Sequence, residues 1–385
     1  MAVMILGRGI SNFLSAGPWS VSLFFILSGF ILFYNYGNSG PRPGSARKFW
    51  IARFARIYPV YLLGLLVIAP FVLHDWYASE VYGLHHAVVG GALAVSLLQS
   101  WVPKYATFWN GPGWSMSVEA FFYALFPLLM LPLRRVAGTG KLVAVIIGCW
   151  ALSIIKTPGI WFIALHWSVW MHGRFHTSLV TAVTDYGPLS RLPEFVAGMA
   201  LGRLMLLRGG PALRGAKLAM LTLTAAGTCL IFAALGNHCP WCFSVAGGLT
   251  PLFALVIWSL TVEESFVAKL LAWSPLVFLG EVSYSIYIIH LPLAHWFGVA
   301  VNHITHRPDS DTFLDIPNYF VLAIFLPVLL GLCSLIYTFF EIPARDFIRD
   351  RMNRRLAVRP ESKSAMLPEE SPSPTQPHLI SPKPT

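Results

Sequence analysis

Charge is what this chain has least of. Asp, Glu, Lys and Arg make up 11% of its 385 residues, against about 25% in a soluble domain. With 56% hydrophobic residues and a mean hydropathy of +0.64, it cannot cover a water-facing surface. An ordinary soluble domain is excluded, and an integral membrane protein of many spans is implied. Acidic residues are the scarcer kind, 17 against 27 basic ones. The net charge of +10 does not call for nucleic acid, because cytoplasmic loops of polytopic proteins carry an excess of Lys and Arg. Five cysteines give no disulfide framework. Cys149, Cys229 and Cys333 lie in apolar runs as small buried residues. Cys239 and Cys242 share a loop, but no βαβ pattern surrounds them, so they read as a structural disulfide or two free thiols. A cleavable signal is missing, since Met1 to Leu6 is too short for an apolar signal core. P-loop, G-x-S-x-G and H-E-x-x-H strings are absent too.

What is present is a series of apolar runs. A span needs roughly 20 residues, and runs fall near 20–36, 57–73, 114–132, 142–155, 192–207, 218–235, 243–260, 276–298 and 318–340. The expected fold is an all-α polytopic helix bundle of about nine spans. The apolar run 87–101 is excluded by charge. If it does not cross, eighteen Lys and Arg residues collect on one side against six on the other. If it crosses, Arg134, Arg135 and everything after them change sides. The positive-inside rule therefore makes 87–101 a re-entrant or surface helix. The same rule puts the C-terminus in the cytoplasm.

Three regions fall outside the spans. Residues 1–19 read as the remnant of an earlier span with an exterior loop. Residues 156–187 read as a long exterior loop rich in Trp and His. Its His166, His172 and His176 fit no compact zinc pattern, so no metal is expected. Residues 346–385 read as a basic stretch and then a disordered Pro- and Ser-rich cytoplasmic tail. Residues 20–345 form the membrane domain. No internal repeat is visible, which argues against an inverted-repeat transporter.

Chemistry concentrates around the stretch Ser20 to Tyr61. Arg53 and Arg56 are three apart, so a helix puts them on one face. Phe49, Trp50 and Phe54 interleave with them, as in a helix at a membrane surface. Two guanidinium groups side by side suit a polyanion, because each forms paired hydrogen bonds to phosphate. The alternative is purely topological, basic residues marking a cytoplasmic loop. Ionisable residues inside spans are functional candidates by default. Glu119 lies about 7 Å into a helix beginning at Trp114. His290 is near mid-span, and Glu341 is at the inner end of the last span. Each has a structural alternative: an interfacial carboxylate, a histidine bonded to a neighbouring helix, or a pair with Arg345.

Several strings in order carry a resemblance. They are Phe24-Phe25-Ile26-Leu27-Ser28-Gly29-Phe30, Arg53-x-x-Arg56-Ile57-Tyr58-Pro59, and Trp114-Ser115-x-x-x-Glu119-x-x-x-Tyr123. Arg191-x-x-Glu194, Ser283-Tyr284-x-x-Tyr287-x-x-His290-x-Pro292 and Glu341-x-Pro343 follow. From about Val21 to Pro343 the chain resembles the acyltransferase-3 family of bacterial membrane O-acyltransferases. The resemblance implies ten spans that carry an acyl group from cytoplasmic acyl-CoA to a sugar hydroxyl. It implies that the Arg53-x-x-Arg56 pair, with Tyr58 beside it, handles acyl-CoA; Glu119, ionised and orienting a catalytic group, and His290 are the catalytic candidates as ionisable residues inside spans. Ser28, Trp114, Tyr123, Arg191 and Glu341 would support substrate or structure. The expected partners are the lipid bilayer, acyl-CoA and a sugar-containing acceptor, in the cell membrane.

The family's first span supplies an Arg and a His, the His being the presumed general base. That His would fall near Gly7 or Arg8, while the first His in this sequence is His74. Two readings follow. One is a membrane O-acyltransferase, most simply an acetyltransferase acting on a cell-envelope glycan or glycosylated small molecule. The other is a non-catalytic or transport-type protein that keeps the fold without the base.

Overall fold

A computed structural model describes residues 17–38, 45–78, 84–170, 180, 182–209, 215–235, 247–261, 266–306 and 319–357. Residues 1–16, the Cys239–Cys242 loop, most of 171–181 and the tail beyond 357 lie outside it, and so do the expectations placed on them. The described residues are helical and contain no strand. The helices are α1 (Gly17–Tyr36), α2 (Ser45–Ala78), α3 (Leu84–Val95), α4 (Trp114–Arg135), α5 (Thr139–Trp170) and α6 (Pro188–Arg208). They continue with α7 (Gly215–Leu235), α8 (Thr250–Leu260), α9 (Phe266–Leu271), α10 (Ser274–Thr305), α11 (Tyr319–Ile336) and α12 (Ile342–Ala357).

Five segments are long and apolar enough to cross a membrane by length and composition: Ser45–His74, Gly111–Arg135, Thr139–Ile160, Ser274–Ile304 and Ala323–Arg354. Ser20–Tyr36, Leu84–Val95 and Thr250–Leu260 are shorter apolar helices. This is a polytopic all-α membrane protein. One expectation is corrected. The exterior loop expected at 156–187 does not begin at 156, because α5 continues through Pro158 to Trp170. The polar interruption at Lys156 had suggested an end. Its Nζ instead donates to the Ser190 carbonyl on α6, so the charge is absorbed by a neighbouring helix.

Side-chain pairings fix helix directions. Trp50 Nε1 donates to the Tyr123 carbonyl at 2.9 Å, and Gly113 faces Tyr61, so α2 and α4 are antiparallel. Tyr284 donates to the Ile57 carbonyl and Trp296 to that of Val67, so α2 and α10 are parallel. Helices α1 and α6 run together in tight contact. A Cβ on Gly198 would sit 1.9 Å from the Ile26 oxygen, and one on Gly29 would sit 2.1 Å from that of Phe195. Lipid tails are as apolar as the side chains, so close approach over small residues has to supply the association.

The segment 84–113 holds one short helix and then irregular backbone. Helix α3 has twelve residues, about 18 Å, too short to cross. Tyr58 OH donates to the Val95 carbonyl at 3.1 Å and Tyr61 OH to that of Ala94 at 2.7 Å. The end of α3 therefore sits beside the middle of α2. Short 3₁₀ turns follow, and α4 starts within the bundle. Irregular backbone at such depth needs partners inside the protein. Gln99 Nε2 donates to Gly113 O at 2.8 Å, Asn110 Nδ2 to Ile288 O at 3.2 Å, and Ser100 Oγ to Trp114 O at 2.8 Å.

Candidate active site

Helices α1, α2, α4 and α10 enclose a cavity of about 330 Å³. Each contributes one strip. From α1 come Val21, Phe24, Phe25, Ser28 and Leu32, at helical spacing. From α2 come Arg53, Arg56 and Ile57. From α4 come Ser115, Glu119 and Tyr123, each four residues apart, and from α10 Gly280, Ser283, Tyr284 and Tyr287. Residues three and four apart share a helix face, which is how single strips of four helices meet here.

Glu119 is the cavity's carboxylate. Its Oε1 accepts from Tyr123 OH, one turn along α4, and from Ser28 Oγ of α1 at 3.4 Å. Arg53 and Arg56 both lie within electrostatic range of it. Among the described residues neither arginine has a hydrogen bond or ion pair, and Arg53 Nε is buried without an acceptor. The Arg53 guanidinium lies 5.9 Å from the Phe49 ring and 6.0 Å from that of Tyr123. Aromatic faces on this scale attract and orient a cation. Arg53 is half-buried and Arg56 exposed, so their donors face the open space. At the α3-facing end, Ser115 Oγ and Tyr287 OH meet at 3.0 Å, and both also reach the Pro112 carbonyl.

The remaining candidates surround this cavity without lining it. Trp114 is buried behind it, its ring 6.0 Å from that of Phe25 and 5.0 Å from that of Tyr186. Arg191, 2% exposed, lies beneath Trp114. It donates to Glu194 at 2.7 Å, Ser22 Oγ at 3.0 Å and the Asp185 carbonyl at 2.8 Å, with the Trp114 ring 5.3 Å away. Tyr58 turns toward α3 and away from the two arginines on its own helix. Glu341 ends a π-helical turn and accepts from Ser285 Oγ at 2.7 Å. It is within range of Arg56 and Arg345, but no ion pair closes. His290 lies one turn beyond Tyr287. Its Nδ1 is 2.7 Å from the Tyr287 carbonyl and 3.3 Å from that of Ile286, which makes Nδ1 the protonated nitrogen.

Sequence reading passed over Ser115, Tyr284 and Tyr287 as site residues. The signal was present, because Gly280, Ser283, Tyr284 and Tyr287 follow the i, i+3, i+4, i+7 rule for one face. What it lacked was an indication that this face opposes Glu119.

A family profile described as Acyltransferase domain matches residues 2–332. The match extends past Val21 toward the start and stops short of Pro343, against the limits that the motifs had suggested. Acyltransferase MdmB of Streptomyces mycarofaciens is 27% identical over 304 residues, covering 74% of this chain and 70% of that protein. Peptidoglycan O-acetyltransferase OatA of Listeria monocytogenes serovar 1/2a (strain ATCC BAA-679 / EGD-e) is 23% identical over 346 residues, covering 84% of this chain. This chain spans about half, 51%, of that second relative's length. No solved structure matches.

Proposed function

Because the chain belongs to the acyltransferase-3 family, we propose that it is a multi-pass membrane O-acyltransferase using acyl-CoA, with acetyl-CoA as the simplest donor. The acceptor is a hydroxyl of a cell-envelope glycan or of a glycosylated small molecule. The protein sits in the cytoplasmic membrane with its C-terminus inside, as the distribution of Lys and Arg requires. The observation that carries the reading is one cavity holding two unpaired arginines and a carboxylate.

Arg53 and Arg56 take the donor's phosphates, because free guanidinium groups bind phosphate in bidentate fashion. Glu119, held by Tyr123 and Ser28, takes the acceptor's hydroxyl proton. The oxygen attacks the thioester carbonyl, the C–S bond breaks, and the proton passes to the departing CoA thiolate. Ser115 and Tyr287 line the cavity where the tetrahedral oxyanion develops, and a hydroxyl turned from the Pro112 carbonyl donates to it. Trp114, Arg191, Glu194 and Glu341 hold the helices that carry these groups. His290 supports Tyr287 from the next turn.

The test supplies membranes holding the full chain with acetyl-CoA labelled in the acetyl group and a cell-envelope glycan fraction. Alkali-labile label in the glycan, lost in Arg53→Ala/Arg56→Ala, is the expected result. Label that never leaves acetyl-CoA, with several glycan fractions, sinks the reading.

A further inference from the structure

Two carboxylates lie within electrostatic range of Arg56, Glu119 and Glu341. A helix turns about 100° per residue, so Arg56 is about 60° round α2 from Arg53, and Ile57 is about 40° round on the other side. Arg53 is therefore near the middle of the strip that α2 gives the cavity, and Arg56 is at one edge. Glu119 lines the cavity itself. Glu341 ends the π turn Tyr337–Glu341, between α11 and α12, and that turn and α12 both pack against α2. Adjacent residues of α10 set the level. Tyr284 donates to the carbonyl of Ile57, the neighbour of Arg56, and Ser285 donates to Glu341 Oε2 at 2.7 Å. Glu341 is 4% exposed, and its second oxygen has no partner among the described residues. Arg345, another cation in range, pairs with Asp346 at 3.5 Å. Single π turns of this kind recur at functional sites.

We propose that Glu341 is a positioning residue for Arg56, one that sets how tightly this arginine holds the donor's phosphates and lets coenzyme A leave after transfer. The proposal rests on acyl-CoA being the donor. Acyl-CoA and coenzyme A carry the same phosphates, so two fixed arginines would hold product as firmly as donor. Release then limits turnover, as it does in many enzymes. Two anions compete for Arg56. A phosphate in the cavity offers paired hydrogen bonds and draws the guanidinium inward. Glu341 offers its second oxygen at the cavity's edge and draws it back, because a buried carboxylate is costly without a cation. Ser285 moderates the competition, since a carboxylate that accepts from it is held away from Arg56. Arg53, within 6.0 Å of the Phe49 and Tyr123 rings, keeps the fixed part of the phosphate site.

The test is binding, which needs no acceptor. The full chain is placed in phosphatidylcholine nanodiscs, and its Kd for coenzyme A is measured. Glu341→Gln keeps the shape and an oxygen for Ser285 while removing the charge. It should bind coenzyme A about tenfold more tightly, within the range of couplings between neighbouring charged residues. Ser285→Ala frees Glu341 for Arg56 and should weaken binding about threefold. A loss of folding would weaken both variants, so opposite signs do not follow from it. With Arg56→Ala in place, Glu341→Gln should change nothing. In acetyl transfer Glu341→Gln should lower both the KM for acetyl-CoA and kcat, because a tighter product leaves more slowly. Unchanged or weaker binding in Glu341→Gln overturns the proposal and leaves the donor reading intact. Equal tightening in the Arg56→Ala background overturns it too, since Glu341 would then repel the phosphates directly. An unsubstituted chain that binds no coenzyme A overturns the donor reading and this one together.

Discussion

Ser28 and Glu119, 91 residues apart in sequence, meet at 3.4 Å across the interface of α1 and α4. The contact joins two sequence motifs into one site. It holds the carboxylate against the cavity wall opposite the α2 arginines. Tyr123 completes the hold from the same helix as Glu119. Because two donors share one carboxylate oxygen, the other oxygen is left for a ligand.

Glu119→Gln keeps the shape and removes the proton acceptor. Acetyl transfer should fall by about 10²-fold or more, with kcat bearing the loss. Protein recovered folded from membranes should be unchanged. Transfer at the full rate would reduce Glu119 to a tolerated buried acid.

Arg53→Lys should weaken acetyl-CoA binding on the order of tenfold, because an ammonium cannot form the paired hydrogen bonds or lie flat against Phe49 and Tyr123. Titration of the purified protein with acetyl-CoA measures it. Equal affinity in Arg53→Lys and the unchanged protein would mean that the site asks only for a charge.

Arg191→Met should unfold the protein where Glu119→Gln does not. It leaves Glu194, fully buried, without its cation, and removing one partner of a buried pair costs about 3–5 kcal/mol. A large drop in Tm and in membrane yield is expected. Arg191→Met together with Glu194→Leu should recover much of it, because an apolar pair replaces a buried ionic one at little cost.

Gly198→Leu should separate α1 from α6. Any Cβ there overlaps the Ile26 carbonyl, and overpacking costs about 1–3 kcal/mol even in forgiving cores. Tm should fall, and acetyl transfer with it, because α1 carries Ser28. A stable, active Gly198→Leu protein would show that α1 can shift without consequence to the site.

Cysteines at Leu84 and Lys104, both exposed, should be labelled from one side of the membrane by an impermeant thiol reagent. One at Arg135 should be labelled from the other. The background is a chain whose own cysteines are replaced by alanine. Labelling of Leu84→Cys and Lys104→Cys from opposite sides would mean that 84–113 crosses.

The membrane class and the helical content were decided by composition and charge. These act over the whole chain, and the bilayer turns them into length and sidedness. Arg53 and Arg56 stood out by their spacing on one helix face, Glu119 as an ionisable group in an apolar run, and Ser28 and Tyr123 only through the family motifs. Other features could not be read from a line of residues. That α5 runs on past Lys156 depends on a carbonyl 34 residues away at Ser190. That Tyr58 turns from the arginines on its own helix depends on where α3 ends. Tyr284 and Tyr287 join the site, and His290 stays outside the cavity, according to how α10 is rotated against α2. Periodicity marks a helix face, but only the packing of neighbouring helices decides whether that face meets lipid, a core or a ligand.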